Sequence, residues 1–72
     1  MNELGIRISY NIKKIMREQN MKQWELGKKL GKTRATMSSF FKRLETGGCS
    51  NVKSLQEIAD VLQVDISNFF AK

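Results

Sequence analysis

Apolar residues recur at helical spacing along the chain, with charged and amide side chains between them. The first stretch predicts an amphipathic helix over about residues 6–19, because its apolar residues fall on one face. Those inward residues are Ile8, Ile12, Ile15 and Met16. Asn20 follows as a suitable left-handed stop. The alternation of Leu4, Ile6 and Ile8 leaves open a short extended segment at the start of the chain.

Two shorter stretches follow and predict a pair of helices joined by a tight turn. The first helix of the pair begins at about Met21 and stops at Gly31. Thr33 is a good N-cap for the second helix of the pair. The second helix fades near Thr46. The predicted inward residues are Met21, Leu26 and Leu30 in the first helix and Met37, Phe40, Phe41 and Leu44 in the second. Trp24 fits either a core position or a partly exposed one.

A loop over residues 49–51 leads to a fourth apolar stripe at helical spacing. Either Ser50 or Asn51 is the expected cap of this helix. Its inward residues are Val52, Leu55, Ile58, Ala59 and Leu62. The predicted core that joins the four helices consists of Ile12, Ile15, Leu26, Leu30, Met37, Leu55, Ile58 and Leu62.

A final helical turn is expected at the end of the sequence. It opens at Asp65 or Ser67 and presents Ile66 together with two adjacent aromatic residues, Phe69 and Phe70. Neighbouring residues on one helical turn do not share a face, so one of the two rings is expected to remain exposed. The pattern as a whole predicts an all-α, compact five-helix fold without a sheet, in one domain spanning residues 1–72.

The charge is unevenly distributed along the chain. The 13 basic and 7 acidic residues give a net charge of +6. Residues 1–48 hold eleven Lys or Arg against four Glu (+7), whereas residues 49–72 hold two Lys against three acids (−1). The basic part suits a polyanionic partner such as nucleic acid or an anionic membrane surface. Lysines that only keep a small protein soluble are the alternative.

The composition argues against several functional classes. The sequence has no histidine and one cysteine, Cys49, so a zinc site, an internal disulfide and a His-based catalytic triad are not expected. The seven acids are scattered, and we therefore expect neither an enzyme nor a cofactor or small-molecule ligand. The apolar runs are too short for a membrane span, and the single cysteine fits a cytoplasmic location.

The stretch from Gln23 to Phe40 contains two glycines with distinct expected uses. Two short helices pack at a steep angle only if the side chains at their contact are small. Gly27 lies in mid-helix, where it lets the following helix approach closely, and Gly31 supplies the sharp turn. These features are typical of a helix-turn-helix unit, over about residues 22–42.

These residues resemble the Cro/repressor (XRE, lambda-repressor-like) family of helix-turn-helix transcription regulators. The matching positions are Gln23, Leu26 followed by the small residue Gly27, the turn Gly31, and the apolar Met37 and Phe40. The similarity extends to Ile12-x-x-Ile15 and to the run from Ser54 to Val64, and it covers about residues 6–70. The resemblance implies a lambda-repressor-like DNA-binding domain.

The sequence departs from the family pattern at some positions. The family often has Ala at position 27, an aliphatic residue at position 32, and Glu followed by Gly near Phe41. Met16 stands where the family commonly has an Arg that pairs with that Glu, so both ends of a buried ion pair are replaced by apolar groups. The segment from Lys42 to Ser50 is also a few residues longer than usual.

The resemblance implies which residues contact DNA. Its second helix enters the major groove, so the expected base readers are Arg34, Ala35 and Ser39, with Thr33, Thr36 and Ser38 close to backbone or bases. Gln23 would contact a phosphate or brace a reader. Expected phosphate contacts come from Lys22, Lys32, Lys42 and Arg43.

The function implied by the resemblance is sequence-specific binding of double-stranded DNA by a transcriptional repressor. A homodimer, at least on DNA, is expected through the final turn around Ile66, Phe69 and Phe70, because one helix reads only a few base pairs. The alternative is a protein-interaction module, such as an antitoxin or anti-repressor, because a fold alone does not fix function.

Overall fold

The computed structural model describes residues 3–47 and 52–71, and both ranges are helical with no strand. The α-helices are α1 (Glu3–Glu18), α2 (Gln23–Leu30), α3 (Arg34–Thr46) and α4 (Val52–Leu62), followed by the 3₁₀-helix η1 (Ile66–Phe70). The all-α prediction is confirmed, and the fifth element is a 3₁₀-helix rather than an α-helix. The predicted loop at residues 49–51, with Ser50 or Asn51 as a cap, lies outside the described residues.

The first helix begins three residues earlier than predicted, at Glu3. The extended alternative for the start of the chain is wrong, because Gly5 and Ile8 face the core of the protein from the first turns of α1. The predicted stop is confirmed: Asn20 has a left-handed backbone with φ of 56°. The N–H of Met21 then donates to the carbonyl of Met16 at 2.8 Å, which closes the helix end.

One apolar core joins the elements. Its buried members are Ile8, Ile12, Met16, Leu26, Met37, Phe41, Leu44, Leu55, Ile58, Ala59, Leu62 and Phe69. Helix α1 packs against α3 and η1, and α2 packs against α3 and α4. Of the predicted core residues, Ile15 and Leu30 are partly buried against this cluster and the others are fully within it. Met16 and Phe41 share the core as two apolar groups.

The structure corrects two predictions of burial. Phe41 is buried, whereas Phe40 is only half-buried at the flank of the core, with its ring edge-on to that of Phe41 at 5.4 Å. The inward spacing on α3 runs through Met37, Phe41 and Leu44, and Phe40 lies to one side of it. Val52 is 69% exposed, because it is the first residue of α4 and the helix meets the core only from Leu55 onward.

Two amide side chains, one from Asn11 in α1 and one from Gln19 just after it, attach the C-terminal part of the fold. Asn11 Nδ2 donates to the carbonyls of Phe69 and Ala71 at 2.9 and 2.7 Å. Gln19 Nε2 donates to the carbonyl of Leu62 at 2.8 Å, at the end of α4. The bonds to Phe69 and Leu62 supply donors to carbonyls at helix ends, where no partner is available within the helix. As a result η1 is held along α1, with Phe69 fully buried.

Candidate nucleic-acid interface

The turn between α2 and α3 depends on the backbone conformation of Gly31. This residue has φ of 73°, a left-handed value that favours glycine. Its N–H donates to the carbonyl of Lys28 at 3.2 Å, and the N–H of Lys32 donates to that of Gly27 at 2.7 Å. The space around Gly31 is open, so the backbone angle and not crowding is the reason for glycine here. The predicted turn is thereby confirmed.

At Gly27, in contrast to Gly31, crowding and not the backbone angle is the reason for glycine. A Cβ built on Gly27 would lie 2.9 Å from Cγ of Met37 and 3.0 Å from the backbone oxygen of Lys32. Both distances are shorter than ordinary contacts between Cβ and its neighbours. Helix α3 therefore reaches its position against α2 because a side chain is absent at residue 27, as the sequence predicted.

The N-terminus of α3 is capped by Thr33. Its hydroxyl oxygen accepts a hydrogen bond from the N–H of Thr36 at 3.1 Å, as predicted for an N-cap. The two threonine hydroxyls lie 2.9 Å apart, so the Thr36 side chain is linked to the cap as well. This pair fixes where α3 begins and leaves Arg34 as its first residue.

The expected DNA-contacting residues of α3 lie on its solvent side. Arg34, Ala35, Thr36, Ser38, Ser39, Lys42 and Arg43 are all exposed. Because successive residues of an α-helix are turned by about 100°, the face opposite the buried Met37, Phe41 and Leu44 can be read off the sequence. Ala35, Ser39, Lys42 and Thr46 occupy its centre. Arg34 and Ser38 lie on one flank, and Thr36 and Arg43 lie on the other.

The remaining expected contacts lie at the start of α2 and in the turn. Gln23 is the first residue of α2 and is half-buried, one turn before Gly27 and hence on the side of α2 that meets α3. Lys22 precedes it, and its backbone N–H donates to the Glu25 carboxylate at 3.0 Å. Lys32 is exposed in the turn. Trp24, left open by the sequence, is 45% exposed beside these residues.

The charges around α3 favour a polyanion. In the described ranges none of the five expected cationic contacts has a carboxylate within ion-pair distance; these are Lys22, Lys32, Arg34, Lys42 and Arg43. The acid of α3, Glu45, forms the ion pair that the structure does contain, with Lys13 of α1 at 3.1 Å. The exposed side of α3 thus presents positive charge and hydroxyl groups without a competing free acid.

One cluster near this face was not anticipated from the sequence. It consists of Ser9 and Lys13 on α1 and Glu45 on α3. Ser9 and Lys13 share a face of α1 at a spacing of four residues, but only the crossing of α1 over α3 shows that Glu45 is their partner. The cluster lines an open groove between α1 and the end of α3, together with Ile6, Tyr10 and Thr46.

Other kinds of site find little support in the described residues. They contain no group of three or more His, Cys, Asp or Glu side chains close enough to hold a metal ion. None of the helices in these ranges combines the length and the apolar character needed to cross a membrane.

The packing of α2 on α3, the glycine turn and the capped second helix together define a helix-turn-helix DNA-binding domain. The model of the family described as Cro/C1-type HTH DNA-binding domain matches residues 11–71, which is most of the chain. The protein belongs to this family, as the resemblance in its sequence indicated. Comparisons with curated proteins and with solved structures gave no match.

Proposed function

We propose that the protein binds specific sequences of double-stranded DNA and represses transcription. The observation that carries this proposal is the exposed face of α3: it begins at a capped N-terminus, holds hydroxyl and cationic side chains, and packs on α2 without a side chain at residue 27. In helix-turn-helix proteins the second helix lies in the major groove and its first residues reach base edges.

Within this proposal Arg34 has the main reading role. A guanidinium can donate to both O6 and N7 of one guanine, which makes arginine the commonest reader of that base. Arg34 is exposed and stands directly after the cap residue Thr33. Ala35 offers a methyl group for contact with thymine, and the hydroxyls of Ser38 and Ser39 bond to either bases or backbone.

The other expected residues would hold the domain on the phosphate backbone. Lys42 and Arg43 lie about two turns beyond Arg34, and Lys22 and Lys32 flank α2 in the sequence. Gln23 begins α2, where backbone N–H groups and the helix dipole favour a phosphate. Such contacts fix the register of the protein on DNA without reading the sequence.

We further propose that two copies bind together. A single recognition helix covers only a few base pairs, and a two-fold pair places two such helices about 34 Å apart on one side of the duplex. Phe70 is 40% exposed, whereas Phe69 is buried, so Phe70 with the partly buried Ile66 is the apolar surface offered for this contact. Duplex DNA as partner also agrees with the predicted cytoplasmic location.

Selection of bound sequences from a random pool of duplexes tests the proposal. We expect enrichment of a two-fold symmetric site whose affinity exceeds that of a scrambled duplex by about 10³-fold or more. We also expect log K to fall steeply with log salt. An unenriched pool with only weak, salt-sensitive binding would contradict sequence-specific reading. Retention of a protein partner without any DNA binding would instead indicate the protein-interaction module.

A further inference from the structure

The end of α3 is fastened to α1 by a compact polar cluster. Ser9 Oγ donates a hydrogen bond to Glu45 Oε2 at 2.5 Å, and Lys13 Nζ contacts the same oxygen at 3.1 Å. Ser9 is a buried polar residue, 1% exposed, so its hydroxyl depends on Glu45 as the partner it finds inside the protein. The bond to Ser9 is thus the sheltered part of the cluster, and the ion pair is its solvent-exposed part.

Lys13 makes a second contact on α3. Its ammonium group lies 5.2 Å from the centre of the Phe41 ring, within the range of a cation–π interaction. Phe41 and Glu45 are one helical turn apart, so Lys13 spans a turn of α3. An ion pair whose side chains are 42% and 38% exposed contributes little stability alone. The buried Met37, Phe41 and Leu44 already fix the rotation of α3 about its own axis, and the contacts of Lys13 add to them near the end of the helix.

Besides the buried side chains along its inner face (Met37, Phe41 and Leu44), helix α3 is held by one close contact near its start and one polar contact near its end. Its N-terminal half is fixed by the close approach of Met37 to Gly27 of α2. Its C-terminal end is fixed by the bond from Glu45 to α1. The residues Arg34 and Glu45 are about 16 Å apart along the helix axis. A rigid helix fixed at one point can tilt, whereas the same helix fixed at two distant points keeps one direction.

We propose that Ser9, Lys13 and Glu45 are positioning residues that set the tilt of α3 in the major groove and thereby determine sequence preference without touching DNA. This inference rests on the proposed function. Glu45 is unsuited to contact DNA itself, since its carboxylate would repel phosphates and its side chain is engaged with α1. Around the helix axis, Glu45 is turned by about a third of a turn from Ser39 and Thr46 at the centre of the exposed face.

The proposal predicts that disrupting this cluster reduces the preference for the selected DNA sequence and leaves general binding to DNA largely intact. Base readers need side-chain placement within a fraction of an ångström, whereas attraction to the backbone depends mainly on charge. Without the polar attachment, the end of α3 is held only by the apolar contacts of Phe41 and Leu44, which permit a small change in the tilt of the helix. Affinity for the selected site is then expected to fall while affinity for a scrambled duplex stays close to that of the unmodified protein.

Ser9→Ala is the principal test, because it removes one hydrogen bond and leaves the net charge unchanged. We expect the ratio of affinities for selected and scrambled duplexes to drop about three- to tenfold, as for a coupling of about 0.7–1.4 kcal/mol. Glu45→Ala is expected to lower the same ratio. Both changes break the contact between Ser9 and Glu45, and Glu45→Ala also removes the partner of Lys13. The double variant should therefore be no worse than Glu45→Ala alone.

Lys13→Met is compared with Lys14→Met, which removes the same charge at the exposed next position of α1. Both variants should weaken all duplexes slightly through the lost charge, but only Lys13→Met should also lower the ratio. In the free protein, amide hydrogen exchange near the end of α3 should become faster in Ser9→Ala. Circular dichroism checks that every variant is folded at the assay temperature.

Three results would overturn the inference. An unchanged ratio in Ser9→Ala and Glu45→Ala, with the unmodified protein still preferring its site, shows that the cluster does not position α3 and leaves the proposed function intact. The second result is a lower ratio with unchanged hydrogen exchange and with effects of the two substitutions that add. Ser9 and Glu45 would then act independently, and the lower ratio would be due to direct contacts with DNA. If the unmodified protein binds no duplex selectively, both the inference and the proposed function fail.

Discussion

Arg34 and Lys42 both lie on the exposed side of α3, yet we expect different effects from their removal. If Arg34 donates to a guanine, Arg34→Ala should weaken the free energy of binding to the selected site by about 1–3 kcal/mol. It should also relax the preference at one base pair. Lys42→Ala should weaken selected and scrambled duplexes alike and reduce the slope of log K against log salt by about one. Salt titrations of each variant on both duplexes provide the measurement.

Each of these two variants is the control for the other, since both remove one positive charge from α3. Equal weakening of both duplexes by Arg34→Ala, with the salt slope reduced by one, would make Arg34 a phosphate contact. Sequence preference would then have to come from Ala35, Ser38 or Ser39, or from the shape of the DNA.

Glu45 also gives a prediction for the pH dependence of stability. The hydrogen bonds from Ser9 and Lys13 hold the pKa of the Glu45 carboxyl below its ordinary value of 4.5. A carboxyl whose pKa is lower in the folded state stabilises the fold above the ordinary value, and this contribution is lost as the pH falls through the folded pKa. The free energy of unfolding should therefore decrease on acidification below about pH 4.5.

Glu45→Gln should make this decrease smaller, because an amide does not titrate. Asp65 contributes with the same sign, since a backbone hydrogen bond from Ser67 lowers its pKa, and Asp65→Asn should remove that part separately. Urea unfolding at a series of pH values between 3 and 7 measures both effects. An identical pH dependence in Glu45→Gln and the unmodified protein would show that Glu45 has the same pKa in the folded and unfolded chain.

The proposed reading of DNA depends on the pair α2 and α3, and Gly27 determines how closely the two helices approach. Gly27→Val would push a side chain against Met37 and the backbone of Lys32, where even a Cβ is too close. We expect a loss of about 1–3 kcal/mol in the free energy of unfolding, as for overpacked cores, and a weaker selected complex. Lys28→Val is the control, because it places the same branched side chain at the next, exposed position.

Urea unfolding and binding to the selected duplex are measured for both valine variants. The exposed Lys28→Val should lower stability only by the modest helix-propensity cost of valine, and its loss of one charge should act on all duplexes. Equal stabilities of the two variants would show that the α2–α3 approach tolerates a side chain at residue 27.

At the scale of the whole molecule, η1 contributes both to the core and to the expected surface for a second copy. Phe69 fills the core, and Asn11 holds the backbone of η1, so Phe70 is left exposed next to a well-fixed element. Phe70→Ala should leave folding intact and weaken binding to a two-fold symmetric site much more than binding to a half-site. Val52→Ala, at another exposed apolar position, is the control.

Sedimentation of the complexes distinguishes the possible outcomes. Two protomers per symmetric site for the unmodified protein, and mostly one for Phe70→Ala, agree with pairing through η1. One protomer per specific site together with a non-palindromic footprint would refute the dimer, whatever the effect of the substitution.

The sequence by itself determined the helical class of the protein, the main positions of its helices and the helix-turn-helix unit. These features are local, because each depends on residues only a few positions apart in the sequence. They are the helical spacing of apolar residues, the left-handed backbone at Asn20 and Gly31, and the N-cap at Thr33. The exposed residues of α3 followed from the same periodicity. Their assignment as DNA contacts came from the family resemblance and stays a prediction.

The tertiary structure decided what depends on distant parts of the chain. Spacing alone could not choose between Phe40 and Phe41, or between Phe69 and Phe70, because the direction of the core depends on which helix packs on which face. Spacing also could not show that Val52, the first residue of α4, is exposed. The apolar stripe of α4 extends beyond the part of the helix that packs against the core. The bond from Ser9 to Glu45 joins residues 36 positions apart, and only the packing of α1 on α3 brings them together.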